Sequence, residues 1–185
     1  MTTLGALMGF FLLPSASFAV SAPAPVLPSY PVTITAYNAV PSQTDGNPFE
    51  TASGAYSNPE VVAARSRDLA EQLPFGTIIE IDAPTEAGNS CGFKTVEPII
   101  GYRVIADTMN ARFTNYIDIL FSTKSNYTRT NGTTRNASSM LGVCTGATVR
   151  VVGFVDITRP SNLPKTQDDL VALVMRGGSD LAFNK

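Results

Sequence analysis

Two aspartates, Asp107 and Asp118, stand eleven residues apart and bracket the polar stretch Thr108, Asn110, Arg112, Thr114 and Asn115. Before the first lies the apolar-alternating run Tyr102-Arg103-Val104-Ile105-Ala106; after the second comes Ile119-Leu120-Phe121. The intervening residues suit a loop rather than a helix interior. The pattern therefore reads strand, loop, strand, with one acid ending the first strand and one opening the second. Two carboxylates brought to one mouth of a small barrel could do general acid/base work. The competing reading is structural: acids at strand ends also cap loops and hold turns.

Composition narrows the chemistry. The chain has 185 residues, 44% hydrophobic and 15% charged, which favours one folded domain over disorder. The formal charge is −2 with no basic cluster, so a nucleic-acid partner is not expected. There is no histidine, which excludes Ser-His-Asp and Cys-His catalytic arrangements and removes the commonest metal ligand. Acid/base groups must come from Asp or Glu, with Tyr or Lys as weaker candidates.

The elements that must position the acids can be read in order. Residues 4–13 are apolar and are followed by Ser17-Phe18-Ala19, an A-x-A-like site, so residues 1–19 are read as a signal peptide cut after Ala19. A short membrane anchor or a buried strand is the alternative; no positively charged segment precedes the apolar run. Removal of the peptide implies an exported protein of the periplasm, cell envelope or exterior, with no stable membrane insertion. Export favours a disulfide between Cys91 and Cys144, two buried thiols being the other possibility.

Residues 20–31 carry four prolines and read as a linker. Residues 32–37 (VTITAY) alternate as a strand, and 38–56 form a long loop. Residues 61–64 give a short buried strand and 66–73 one or two helical turns. Pro74-Phe75-Gly76 is a turn before the strand 77–82, and 83–98 is a loop. The polar stretch 122–139 holds three Asn-X-Ser/Thr sequons, 148–155 is the last strong strand, and Thr166 caps a late helix ending at Gly177-Gly178. The fold class expected is mainly β: a small barrel over residues 32–158, with short helical turns and a helix-containing tail over 159–185.

Several of these pieces occur together in a familiar order. Thr35-Ala36-Tyr37, Thr51-Ala52-Ser53-Gly54, Leu73-Pro74-Phe75-Gly76-Thr77, Ala106-Asp107-Thr108, Asn115-Tyr116-Ile117-Asp118 and Leu141-Gly142 resemble the 3D, or three-aspartate, domain. That family is similar to the catalytic barrel of MltA-type lytic murein transglycosylases. The resemblance implies a six-stranded double-psi β-barrel, peptidoglycan glycan strands as partner and substrate, and non-hydrolytic cleavage between N-acetylmuramic acid and N-acetylglucosamine. It implies no metal and no organic cofactor. Asp107 matches the middle family aspartate, and Asp118 the last, the expected acid/base. The first aspartate column falls on Arg65 without a gap, or on Asp68 with one inserted residue. Thr35, Tyr37 and Thr51 are expected to line the cleft. A non-catalytic glycan-binding barrel is the alternative function, and a secreted barrel that mediates protein contacts is a third.

Overall fold

The computed structural model describes residues 27–84 and 91–177. The signal-peptide reading and most of the linker reading fall outside the described residues.

Among the described residues, eight strands and three short α-helices follow one another along the chain. They are β1 (Ser29–Asn38), β2 (Val62–Arg65), β3 (Thr77–Asp82), α1 (Phe93–Val96), β4 (Arg103–Thr108), β5 (Tyr116–Phe121), β6 (Asn126–Thr128), β7 (Thr134–Asn136), α2 (Ala137–Leu141), β8 (Cys144–Phe154) and α3 (Gln167–Gly177). Six strands close into a barrel in the order β1-β5-β2-β4-β3-β8, and β6 with β7 makes a separate hairpin. The β1–β5 and β2–β4 pairs are parallel; β2–β5, β3–β4, β3–β8 and β1–β8 are antiparallel. Closure leaves the six main strands without a free edge.

Alternation sorts the apolar side chains into two clusters, one on each side of the barrel wall, and all six strands feed both. Val32, Ile34, Ile79, Ile105, Ile117, Ile119 and Val149 belong to the first, together with Phe93 and Leu141 from α1 and α2. Tyr37, Val62, Ala64, Ile78, Val104, Ala106, Leu120 and Val152 belong to the second, with Leu170 from α3.

Several boundaries differ from the sequence reading, each for a local reason. β1 starts at Ser29, inside the expected linker, because Ser29, Tyr30 and Pro31 pair with Arg150, Val149 and Thr148 of β8. Pro31 can stay in the strand because the ladder does not need its missing N–H. β8 starts at Cys144, four residues before the expected strand, although Gly146 adopts a left-handed φ of 73°. The expected loop 83–98 contains α1 and a 3₁₀ turn at Glu97–Ile99. A disulfide joins Cys91 to Cys144, Cα atoms 5.3 Å apart, and Gly92 N–H donates to Leu141 O (2.9 Å). These two links tie the segment to the start of β8 and let a sequence of low helix propensity, FKTV, hold a turn.

The turn at Pro74-Phe75-Gly76 is as expected. Gly76 has φ 97° and donates to Ile105 O (2.8 Å) while accepting from Val155 N–H (2.9 Å); a side chain there would collide with Val155 O. The late helix also matches: Thr166 Oγ1 accepts from Asp169 N–H (3.1 Å), and Asp169 Oδ2 accepts from Thr166 N–H (3.0 Å), a reciprocal cap. No helix among the described residues is long and apolar enough to cross a membrane.

Candidate active site

Strand register brings the two acids together. Thr35 of β1 lies opposite Asp118 of β5, Asp118 lies opposite Ala64 of β2, and Ala64 lies opposite Asp107 of β4. Four neighbouring strands thus carry one lateral row: Thr35, Asp118, Ala64, Asp107. At roughly 4.8 Å per strand, the backbones of the two aspartates are about 10 Å apart. Ala64, with a methyl side chain, is the residue between them in the row.

Asp118 reaches this side of the wall by simple alternation. Its neighbours Ile117 and Ile119 point into the first apolar cluster, and Asp118 faces the other way. Asp107 does so only through an irregularity. The β2–β4 pairing runs Ala63 to Ile105 and then Ala64 to Asp107, so Ala106 is an extra residue in β4. Strict alternation would put Asp107 on the side of Ile105. The register shift re-aims it, as bulges beside functional sites do. Ala106 is held in the shift by its carbonyl, which accepts from Ser53 N–H (3.1 Å).

Asp118 is partly buried, and Thr35 Oγ1 donates to its Oδ1 (2.7 Å). Its pKa is raised to about 6: burial is the main cause, the Thr35 hydrogen bond pulls against it, and the charge of Asp107 adds an upward push. In mildly acidic solution it is therefore a carboxylic acid with a proton to give. Asp107 accepts three hydrogen bonds: from Tyr37 OH (2.8 Å), Ala52 N–H (2.9 Å) and its neighbour Thr108 N–H (2.8 Å). Tyr37 is almost fully enclosed, and burial, followed by the charge of Asp107, raises its pKa well above the ordinary phenol value. It is a fixed donor, not an acid/base.

The three residues expected to line the cleft take different places. Thr35 and Tyr37 spend their hydroxyl protons on the two aspartates. Thr51 is buried and turned into its own loop, 3.1 Å from Ala55 O and 3.0 Å from Ser53 Oγ. Its contribution is to shape the turn whose next N–H, that of Ala52, grips Asp107.

Asp68 stands apart from the row. It is exposed, in the 3₁₀ turn Arg67–Leu69, and its Oδ2 accepts from Asn115 N–H (2.9 Å). Desolvation pushes its pKa up, but hydrogen bonds from Ser66, Asn115 N–H and its own N–H, with the charge of Arg65, outweigh this and hold it below the ordinary value. That bond fixes Asn115, whose φ of 61° is left-handed, just before β5 begins. Arg65 is buried; its Nε donates to Leu73 O (2.7 Å) and its guanidinium lies 4.9 Å from the Phe75 ring centre. It braces the Pro74 turn.

Sequence reasoning did not single out Ala64, the N–H of Ala52 or the shift at Ala106. The Ala63-Ala64 pair in a buried strand was the available signal, since small residues there leave room for larger neighbours. A groove of about 250 Å³ lies elsewhere, between α1, β3 and α3, lined by Glu80, Phe93, Ile100, Tyr102 and Gln167; no residue of the acid row lines it. Among the described residues no cluster of His, Cys, Asp or Glu could hold a metal ion. No protein-family model matches the chain, and no curated protein matches it by sequence.

Proposed function

We propose that this protein is an exported lytic transglycosylase that cleaves peptidoglycan glycan strands, with Asp118 as its single acid/base, on a double-psi barrel of the three-aspartate kind. One observation carries the reading: Asp118 sits in a row of strand residues beside Asp107, partly buried, with its pKa raised to about 6. A carboxyl group so placed holds a proton at mildly acid pH and can take it back after losing it.

The steps follow from that property. Asp118 gives its proton to the glycosidic oxygen as the C1–O bond breaks and oxocarbenium character develops at C1. The sugar's own C6 hydroxyl then bonds to C1, and its proton goes to the Asp118 carboxylate. The product is a 1,6-anhydro end, and Asp118 is restored without a water molecule or a second nucleophile. Asp107, anchored by Tyr37 and Ala52, supplies the negative charge that helps keep Asp118 protonated and faces the developing positive charge. The Cys91–Cys144 disulfide suits an oxidising compartment, where a cell-wall substrate is found.

The place of Asp68 favours one rival. Its carboxylate is exposed and engaged with Asn115, so the third acid does not join the pair. A barrel with two acids instead of three suits a glycan-binding module. Incubation of the chain with peptidoglycan sacculi, beside Asp118→Asn, separates the two. Anhydro-ended fragments from the parent alone, found by mass spectrometry, support the transglycosylase. Reducing-end fragments mean hydrolysis. Co-sedimentation without fragments means binding only.

A further inference from the structure

The loop that grips Asp107 begins with a largely exposed aromatic ring, Phe49. Residues 49–57 fold as a small antiparallel ribbon: Glu50 pairs with Tyr56, Ser57 N–H donates to Phe49 O (3.0 Å), and Thr51 N–H donates to Ala55 O (2.9 Å). Alternation divides its side chains between two faces. Phe49, Thr51, Ala55 and Ser57 share one face; Glu50 and Tyr56 share the other. Thr51, Ala55 and Ser57 are buried, so their face is the one laid on the protein. Phe49 belongs to that face but is 69% exposed. It overhangs the edge instead of packing beneath the ribbon.

The turn of this ribbon is fixed to the acid row. Ala52 N–H binds Asp107 and Ser53 N–H binds Ala106 O. Phe49 is three residues from Ala52, at most about 10 Å along an extended chain. That is the reach of a sugar neighbouring one held at the acids. A pyranose ring offers a face of C–H groups that packs on an aromatic ring, and a large exposed aromatic is suited to it.

We propose that Phe49 is a stacking platform for a sugar ring next to the bond at Asp118, and so a substrate-positioning residue. The inference rests on the glycan reading of the acid pair. Tyr56 supplies the internal control: it is 63% exposed, seven residues away, but on the opposite face of the ribbon.

The chain contains no tryptophan, so Phe49→Trp in the Asp118→Asn background gives a single fluorescent reporter. It is titrated with soluble, uncrosslinked peptidoglycan glycan strands. A saturable change in emission is expected. In the active chain, Phe49→Ala should raise KM roughly tenfold with little change in kcat, while Tyr56→Ala leaves both unchanged. Glycan cleavage by the parent with an unchanged KM for Phe49→Ala and a silent indole reporter would overturn the platform and leave the transglycosylase standing. A responsive reporter without any cleavage by the parent would do the reverse. Equal losses from Phe49→Ala and Tyr56→Ala would also reject the platform, because the ribbon as a whole would then be responsible.

Discussion

Strand β4 carries a buried cation at its start and an acid of the candidate site near its end, and the two ends use charge differently. At the first end, Arg103 is 1% exposed, and its donors meet backbone carbonyls: Nε to Ile100 (2.6 Å), Nη2 to Ile99 (2.8 Å), and Nη1 to Pro59 (2.7 Å) and Leu120 (3.2 Å). The Phe121 ring centre is 5.6 Å from its Cζ. Burial lowers the Arg103 pKa to about 9, against the upward pull of Glu60, yet the group stays charged at neutral pH. At the other end, Asp107 shares the acid row with Asp118 of β5, which burial moves to about 6, where it changes state near neutrality, and a single side-chain donor, Thr35, bonds Asp118. Both shifts come chiefly from desolvation, so a perturbed pKa does not itself mark a site. What separates the ends is whether the group can exchange a proton at working pH and has bonding capacity left for a ligand.

The largest expected effect tests the acid end. Asp118→Asn should reduce cleavage at least about a thousandfold, the scale of a lost general acid. It should also stabilise the protein at neutral pH. The folded pKa lies above the ordinary carboxylate value, so the folded state holds a proton that the unfolded state has released. Stability from this group is complete below the ordinary pKa and falls as pH rises through about 6. The variant escapes that loss. Thermal melts should place it above the parent at pH 8, by on the order of 2 kcal/mol, and near it at pH 4. Lower stability than the parent at pH 8 would mean that Asp118 is structural.

The cation end should respond in the opposite sense. Arg103→Met leaves the carbonyls of Pro59, Ile99, Ile100 and Leu120 without this donor, and should cost about 3–5 kcal/mol in denaturant unfolding. The fraction that remains folded should cleave normally. A small cost would mean that water replaces the guanidinium, and the contrast between the two ends would weaken.

How much of this was legible follows the same division. Alternation and turn chemistry located the barrel strands, the Pro74 turn and the cap of α3, because each is a local pattern. The spacing of Asp107 and Asp118 pointed to one site. It could not reveal that Asp107 faces the right way, because Val104-Ile105-Ala106-Asp107 read as a regular strand turns that side chain to the wrong side. The extra residue at Ala106 is fixed by a hydrogen bond from Ser53, over fifty residues earlier. The roles of Thr35 and Tyr37 were equally non-local: a hydroxyl on an alternating strand can meet a sugar or a carboxylate, and only the folded barrel, which pairs β1 with β5 and brings Asp107 of β4 to the Tyr37 hydroxyl, decides. Arg103 passed as one more residue of an alternating run, since nothing nearby in sequence supplies the carbonyls of Pro59 and Leu120.

A smaller effect is expected from Tyr37→Phe. It deletes the 2.8 Å bond to Asp107 and leaves the donors of Ala52 and Thr108 in place. Stability should fall by about 1 kcal/mol, and kcat by less than about tenfold, with KM nearly unchanged. A rise in KM alone would instead make the hydroxyl a sugar contact, as the sequence suggested.

The smallest effect probes the link between the two acids. Burial is the main cause of the raised pKa of Asp118, and the charge of Asp107 adds a further upward push. Asp107→Asn removes the charge with little change in shape. The asparagine oxygen can still accept from Ala52 and Thr108, and Tyr37 can turn its hydroxyl to accept from the new amide. The pKa of Asp118 should therefore move down without returning to the ordinary carboxylate range, because burial remains. In the pH profile of kcat/KM, the limb on which activity falls with rising pH should shift to lower pH by part of the original displacement. An unmoved limb would mean that Asp118 does not sense Asp107 across Ala64. A full return to the ordinary range would make Asp107, not the enclosing wall, the source of the acid's strength of hold on its proton.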